Sequence, residues 1–531
     1  MRAGGATVAA SLAALALLAV PAGTGAAPPP TWKSRVAEAA RYAGERAGTV
    51  SFAVVDEAGR LHGLHRRAVA PSASVLKAML LVAYLRRPDV RHRALAAWER
   101  QLLAPMIRRS DNAAASRMVG LVGEARLNAL AGAAGMEHFR LHLPIWGQSE
   151  ITPRGQARFF DRIASLLPPR HRRYALHLLA TVVPAQRWGV GRVTHGRWRL
   201  YFKGGWGSGT GLVDHQVARY GLDGERFALA LFTRFNPDHA YGKETLRGLA
   251  RHLLAGVARP GERAPATGRL AVDGRYSAAV LGRCGIVSIR SRDGEGRRFE
   301  TGAGSCAGFR LVSAGPRALW SWPEGGTAHL ATATAAGVAQ LGSFDNSDPL
   351  GRIAGGGGIL AFQHGSRVTT LGGPDCPAPP GAVLAAGAGL VAAASGGIVQ
   401  VRDPATCALE RSLNLGGNVT ALALEDDLVA VLVRGSAGRM RLERLRISTA
   451  KRLQPHRLPR ASVPELDVHG PWILSRTRHA LRASAAASGR TWTVWRPRRA
   501  PVGAGLSGRR ILWVENHADA ARFWSLRLPP A

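Results

Sequence analysis

From Leu270 to the C-terminus, short runs of Val, Leu, Ile and Ala alternate with Gly-rich turns. The centres of these runs recur near Val280, Leu319, Leu360, Val391, Val429, Ile473 and Leu512. Apolar runs of this length, bounded by turn residues, read as strands. The intervals between centres are about forty residues, the length of a four-stranded blade, and seven such cycles predict an all-β domain over residues 269–531, a seven-bladed β-propeller. A pair of β-sandwiches is the alternative architecture. Neither a Trp-Asp signature nor a metal-binding repeat accompanies the period, so the recurring residues are core and identify no ligand.

The first half reads differently, and at 531 residues the chain is long enough for two cores. A helix is expected over about Trp32 to Arg46, strands at 49–55 and 61–65, then a mainly helical stretch from Ser74 to about Leu179. Three further strands follow at 197–203, 215–220 and 226–234, and a last helix over 241–257. Strands from both ends with a helical block between them give an α+β domain at 32–258. Residues 259–268, rich in Arg, Pro and Gly, read as a linker.

Arg2, the apolar stretch from Val8 to Val20 and the small residues from Thr24 to Ala27 form a secretory signal over residues 1–27, with cleavage near Ala26. A retained membrane anchor is the alternative. No later segment has the length and apolarity of a membrane span. Export to the medium or the cell envelope permits disulfides among Cys284, Cys306, Cys376 and Cys407. Their spacing favours local pairs, although four cysteines allow three pairings. Zinc lacks the short Cys spacing or His cluster that it needs, so no metal and no cofactor is expected.

The formal charge is +36. Adhesion to an anionic envelope polymer is the functional reading. Arginine is scattered along both halves, which a compositional bias toward Ala, Gly and Arg explains as well. The chain carries no recognisable nucleic-acid module, which argues against a nucleic-acid partner.

Only five residues are lysine, and two of them stand in suggestive places. Lys77 ends Ser74-Val75-Leu76-Lys77, at the start of a segment to Leu85 that is apolar nearly all round and therefore predicts a buried helix. Three residues apart, Lys77 and Ser74 share a helix face, so the amine reaches the hydroxyl. Unlike arginine, a desolvated lysine becomes a neutral base. Ser110-Asp111-Asn112 supplies a hydroxyl that relays protons and an amide that both donates and accepts; alone it is an ordinary helix cap. Lys203-Gly204-Gly205 closes a strand, and the glycines allow close backbone approach, with the Trp206 N–H available to an oxyanion.

In this order the three elements resemble those of class A β-lactamases and the wider penicillin-binding serine-enzyme family. The resemblance covers about residues 35–257. It implies a serine hydrolase of β-lactamase or DD-peptidase type, with Ser74 as the acylated nucleophile, Lys77 as base, Ser110 as proton relay and Lys203 as electrostatic partner. Asn112, Gly205, Trp206 and Ser208 would bind substrate, a β-lactam or a D-alanyl amide of cell-wall peptides.

Three departures stand against that pattern. Between Glu137 and Glu150 neither Glu is followed by Asn at the offset that positions a deacylating water, although Glu150 could act from a new direction or simply lead into a helix. Gly204 replaces a hydroxyl residue, for which Ser208 or Thr210 could compensate. The stretch between Lys77 and Ser110 is short, which removes a wall of the cleft. Acylation is therefore provided for and deacylation is not. The rival reading is a non-catalytic envelope-binding protein with a degenerate hydrolase domain and a ligand-binding propeller.

Overall fold

The computed structural model describes residues 30–529 apart from 194–197, 223–224, 266–268, 283, 292, 294, 460–461, 498 and 518–519. The expected signal segment at 1–27 lies outside the described residues.

The chain opens with α1 (Trp32–Gly44), β1 (Thr49–Val55), β2 (Leu61–Leu64) and β3 (Ala70–Pro71). A helical block follows: α2 (Leu76–Leu85), α3 (Ala97–Arg108), α4 (Asn112–Val122) and α5 (Glu124–Ala134). After β4 (Glu150–Ile151) come α6 (Pro153–Leu166) and α7 (Pro169–Ala180), then β5 (Arg199–Gly207), β6 (Val213–Leu222), β7 (Glu225–Arg234) and α8 (His239–Leu254). The five long strands form one antiparallel sheet in the order β2-β1-β7-β6-β5, joining both ends of the segment around the helical block.

One core lies between this sheet and the block, with α2 at its centre. All ten residues of α2 are buried, which is why it shows no polar face in sequence. Polar N-caps start its neighbours: Asp111 accepts from Ala114 N at 2.8 Å to open α4, and Thr152 accepts from Gly155 N at 3.1 Å to open α6. The other face of the sheet is covered by α1 and α8.

Residues 269–527, joined by one strand from 259–265, form four-stranded antiparallel sheets, one for each expected cycle. Each apolar centre read from the sequence falls in the second strand of its sheet: Val280 in Tyr276–Leu281, Leu319 in Arg317–Glu324, and so on to Leu512 in Arg510–Asn516. A second strand has neighbours on both edges and packs on both faces, so it is the most continuously apolar. The first strands of successive sheets touch in order, and that of the last sheet (Pro501–Ser507) touches that of the first (Arg269–Asp273). Together they line a cavity of about 440 Å³. Carboxylates pin the sheets to one another there: Asp273 accepts from Gly315 N at 2.6 Å and Gly357 N at 3.2 Å, and Asp467 accepts from Leu506 N at 2.6 Å. Disulfides join Cys284 to Cys306 and Cys376 to Cys407.

The expected linker needs correction. Residues 259–265 form a strand, β8, which pairs antiparallel with Ala520–Arg527 and completes the last sheet. The chain thus passes from α8 directly into a sheet whose other three strands come from its far end. Around this junction the cores of the two halves merge. Trp198 packs on Phe227 (5.0 Å between ring centroids) and on Trp524 (5.4 Å), and Trp524 stacks on Trp513. The Glu57 carboxyl, buried and pushed up in pKa by desolvation, accepts from Trp32 Nε1 at 2.6 Å and from Arg496 N at 3.3 Å.

This shared core makes the two halves one cooperative unit. Calorimetry should show a single transition, and Trp524→Ala should lower its stability by about 3–5 kcal/mol, as for other buried aromatic deletions; two separate transitions, of which the variant moves one, would contradict this.

Candidate functional site

Ser74 sits in a tight turn, Ala73–Val75, that leads into α2. Its hydroxyl is 2.8 Å from Lys77 Nζ, one helical turn on. Lys77 Nζ also lies 2.5 Å from the Ser110 carbonyl oxygen, 3.1 Å from Ser110 Oγ and 2.7 Å from Asn112 Oδ1. A neutral amine that accepts the Ser74 proton donor and gives its two N–H groups to Ser110 O and Asn112 Oδ1 satisfies this ring of neighbours. Burial brings the Lys77 pKa down to about 7, against the opposing pull of the Asp111 carboxylate.

Ser110 takes a left-handed backbone conformation (φ 59°), which costs a residue other than glycine about 1–3 kcal/mol. That turn aims both its carbonyl and its hydroxyl at Lys77. From the opposite side, Lys203 Nζ donates to the same Ser110 Oγ at 3.0 Å and to Gly204 O at 2.7 Å. Lys203 is fully buried, and desolvation, followed by the nearby Lys77 amine, holds its pKa well below the usual value. A carboxylate entering beside Nζ would offset both effects.

The position of β5 depends on Gly205. A Cβ there would stand 2.8 Å from Ser74 N and from Val75 N and 3.1 Å from Ser72 O. All three are backbone atoms, so only glycine lets the strand pass the Ser74 amide. Gly204 differs: its Cβ would meet the Trp188 ring at 3.4 Å. The Trp206 indole packs on Trp188 and His239. Ser208 is exposed in the turn after β5, where its carbonyl accepts from Gly211 N; Thr210 Oγ1 donates to Gly207 O at 3.1 Å. Ser74, Lys77, Ser110, Asn112 and Lys203 are thus brought together by direct contacts, while Ser208 stands at the rim.

Two features of the rim come from the segment before α6. The Trp146 ring lies 5.1 Å from Lys77 Nζ and is latched by its indole N–H to Ser116 Oγ at 3.0 Å. Gln148 Nε2 donates to Gly209 O at 2.8 Å, tying this segment to the β5–β6 turn. Tryptophan in a loop gives no periodic signal that would fix its place over the amine. Glu150 accepts from His138 Nε2 at 2.8 Å and His142 Nε2 at 3.1 Å, and these imidazoles lower its pKa. Both carboxylate oxygens are therefore engaged by histidine in the strand before α6. Among the described residues no group of three or more His, Cys, Asp and Glu is placed to hold a metal.

Gly205→Ala should destabilise the protein by about 1–3 kcal/mol in urea denaturation, through overpacking against rigid backbone. Gly209→Ala, whose Cβ would meet nothing within 4 Å, serves as control. Equal effects of the two changes would remove the close approach as a constraint.

Residues 98–257 match the family model described as the beta-lactamase enzyme family. The match includes Ser110, Asn112 and Lys203 and begins after Ser74 and Lys77. The chain is similar to a β-lactamase from Sphaerobacter thermophilus (22% identity, 42% of this chain and 96% of that one, TM-score 0.37). It is also similar to an ancestral class A β-lactamase named GNCA (19%, 42% and 100%, 0.37) and to that of the last common ancestor of Gram-negative bacteria, GNCA4 (21%, 42% and 98%, 0.37). No curated protein matches. On the family match, residues 98–257 are β-lactamase-like.

Proposed function

We propose that residues 32–258 act as a secreted β-lactamase-like serine hydrolase through an acyl-Ser74 intermediate, on β-lactams or D-alanyl amides of cell-wall peptides. Residues 269–531 form a seven-bladed propeller in this reading. The observation that carries the hydrolase reading is the 2.8 Å contact between Ser74 Oγ and a buried Lys77 amine whose pKa is brought to about 7.

Lys77 takes the Ser74 proton as Oγ attacks the carbonyl carbon. The carbonyl oxygen gains negative charge opposite the Ser74 and Trp206 N–H groups, and collapse breaks the C–N bond. The leaving nitrogen receives the proton through Lys77 and Ser110. Lys203 and the Asn112 amide hold the substrate, with the Lys203 ammonium favoured once a substrate carboxylate lies beside it.

Release of the acyl group is the slow step of this scheme. Glu150 is engaged by His138 and His142, and Trp146 covers the Lys77 side of Ser74. Lack of a positioned base costs about two to four powers of ten in a proton-transfer step. The disulfides fit an oxidising, extracytoplasmic compartment. No helix among the described residues is long and apolar enough to cross a membrane. The Trp146 ring over Lys77 is also what favours the second reading, a non-catalytic envelope-binding protein.

Intact-mass spectrometry after incubation with a penicillin separates the two. A persistent adduct of the whole drug, absent from Ser74→Ala, is expected; absence of both adduct and turnover would leave the binding-only reading. The acylation rate should fall about tenfold per pH unit below about 7 and level off above it, because only neutral Lys77 accepts the proton. A rate independent of pH between 5 and 8, a window of about one to two units either side of that value, would exclude Lys77 as base.

A further inference from the structure

Two cavities lie side by side along α7, away from Ser74. One, of about 580 Å³, runs between α7 and β5; the other, of about 550 Å³, runs between α7 and the start of α3. Arg173 and His177 border both. Arg187 and Arg199 line the first cavity, Arg100 and Arg170 the second, and among the described residues no carboxylate lines either.

This concentration follows from local structure. Arg170, Arg173 and His177 stand at i, i+3 and i+7 of α7 and share its exposed face over about 10 Å of helix. Arg199 opens β5 opposite them. Elsewhere in this domain arginines meet carboxylates, as Arg93 does Glu99 and Arg226 does Asp161. Arg100, Arg170, Arg173 and Arg199 make no ion pair among the described residues. The Tyr174 hydroxyl, on the wall of the second cavity, is buried and has no hydrogen-bond partner among the described residues. A groove of uncompensated cations repels itself and attracts an anion.

We propose that this groove binds an extended polymer of phosphate groups. Guanidinium forks match phosphate oxygens two at a time, and several along one groove reward a chain over a single ion. Single-stranded nucleic acid needs open aromatic faces for base stacking. Here guanidiniums sit near the tyrosine rings, Arg100 at Tyr174 (5.2 Å) and Arg219 at Tyr201 (5.7 Å), and Trp198 is buried. The site is separate from Ser74 and stands whether or not the hydrolase reading does.

The test uses the full chain and fluorescence anisotropy with labelled inorganic polyphosphate and labelled poly(glycerol phosphate), with poly-glutamate and duplex DNA as competitors. Arg170→Glu/Arg173→Glu/Arg199→Glu is compared with Arg352→Glu/Arg439→Glu/Arg457→Glu, a set of exposed residues of the C-terminal half with the same change of net charge. The groove variant should bind about a hundredfold more weakly, as expected for lost charge-assisted hydrogen bonds, and the control within about threefold of the parent. The tighter of the two phosphate polymers identifies the source. Arg170→Gln/Arg173→Gln/Arg199→Gln, with its urea midpoint checked against the parent, repeats the comparison with milder changes should the Glu set fail to fold. Equal losses in groove and control variants, equal competition by poly-glutamate, or preference for DNA would each overturn the proposal.

Discussion

The Ser110 hydroxyl, held at 3.1 Å from Lys77 Nζ and 3.0 Å from Lys203 Nζ, is the contact on which the rest of the site depends. It joins the start of α2, the turn before α4 and the middle of β5. Two amines on one hydroxyl, both shielded from water, cannot both carry a full charge at low cost. The site therefore holds an amine ready to accept a proton from Ser74, and the strained Ser110 backbone is compensated by the bonds that it makes to Lys77.

The surrounding fold serves this contact. An all-apolar α2 supplies the desolvation, Gly205 lets β5 pass close to the Ser74 amide, and the Trp198 and Trp524 rings bind β5 at its outer end to the last sheet of the C-terminal half. Position at one end of β5 is thus tied to packing against a strand from the far end of the chain. The basic groove along α7 uses the reverse electrostatic arrangement. Its cations face solvent, where they remain charged, and few in number they gain affinity only together.

Much of this was legible in the sequence because the signals were local or periodic. Ser74 and Lys77 share a helix face, and the forty-residue cycle reports second strands such as Ile473 in Trp472–Thr477, whose burial on both faces forces continuous apolarity. What escaped depended on partners distant in sequence. Residues 259–265 have the Pro, Gly and Arg content of a linker, and only pairing with Ala520–Arg527 makes them a strand. Trp146 over Lys77 and the capture of Glu150 by His138 and His142 come from loop geometry, which no spacing encodes. The electrostatic contrast assigned to the two lysines also changes: burial lowers the pKa of both.

The central claim is that Lys77 is available as a neutral amine near physiological pH, and the scarcity of lysine makes it directly measurable. With only five lysines in the chain, selective isotope labelling yields few side-chain signals, each assignable by substitution. A nuclear magnetic resonance titration of the Lys77 side chain should give a midpoint at about 7. A midpoint at the ordinary lysine value of about 10.4 would contradict the account, because Ser74 would then lack a base.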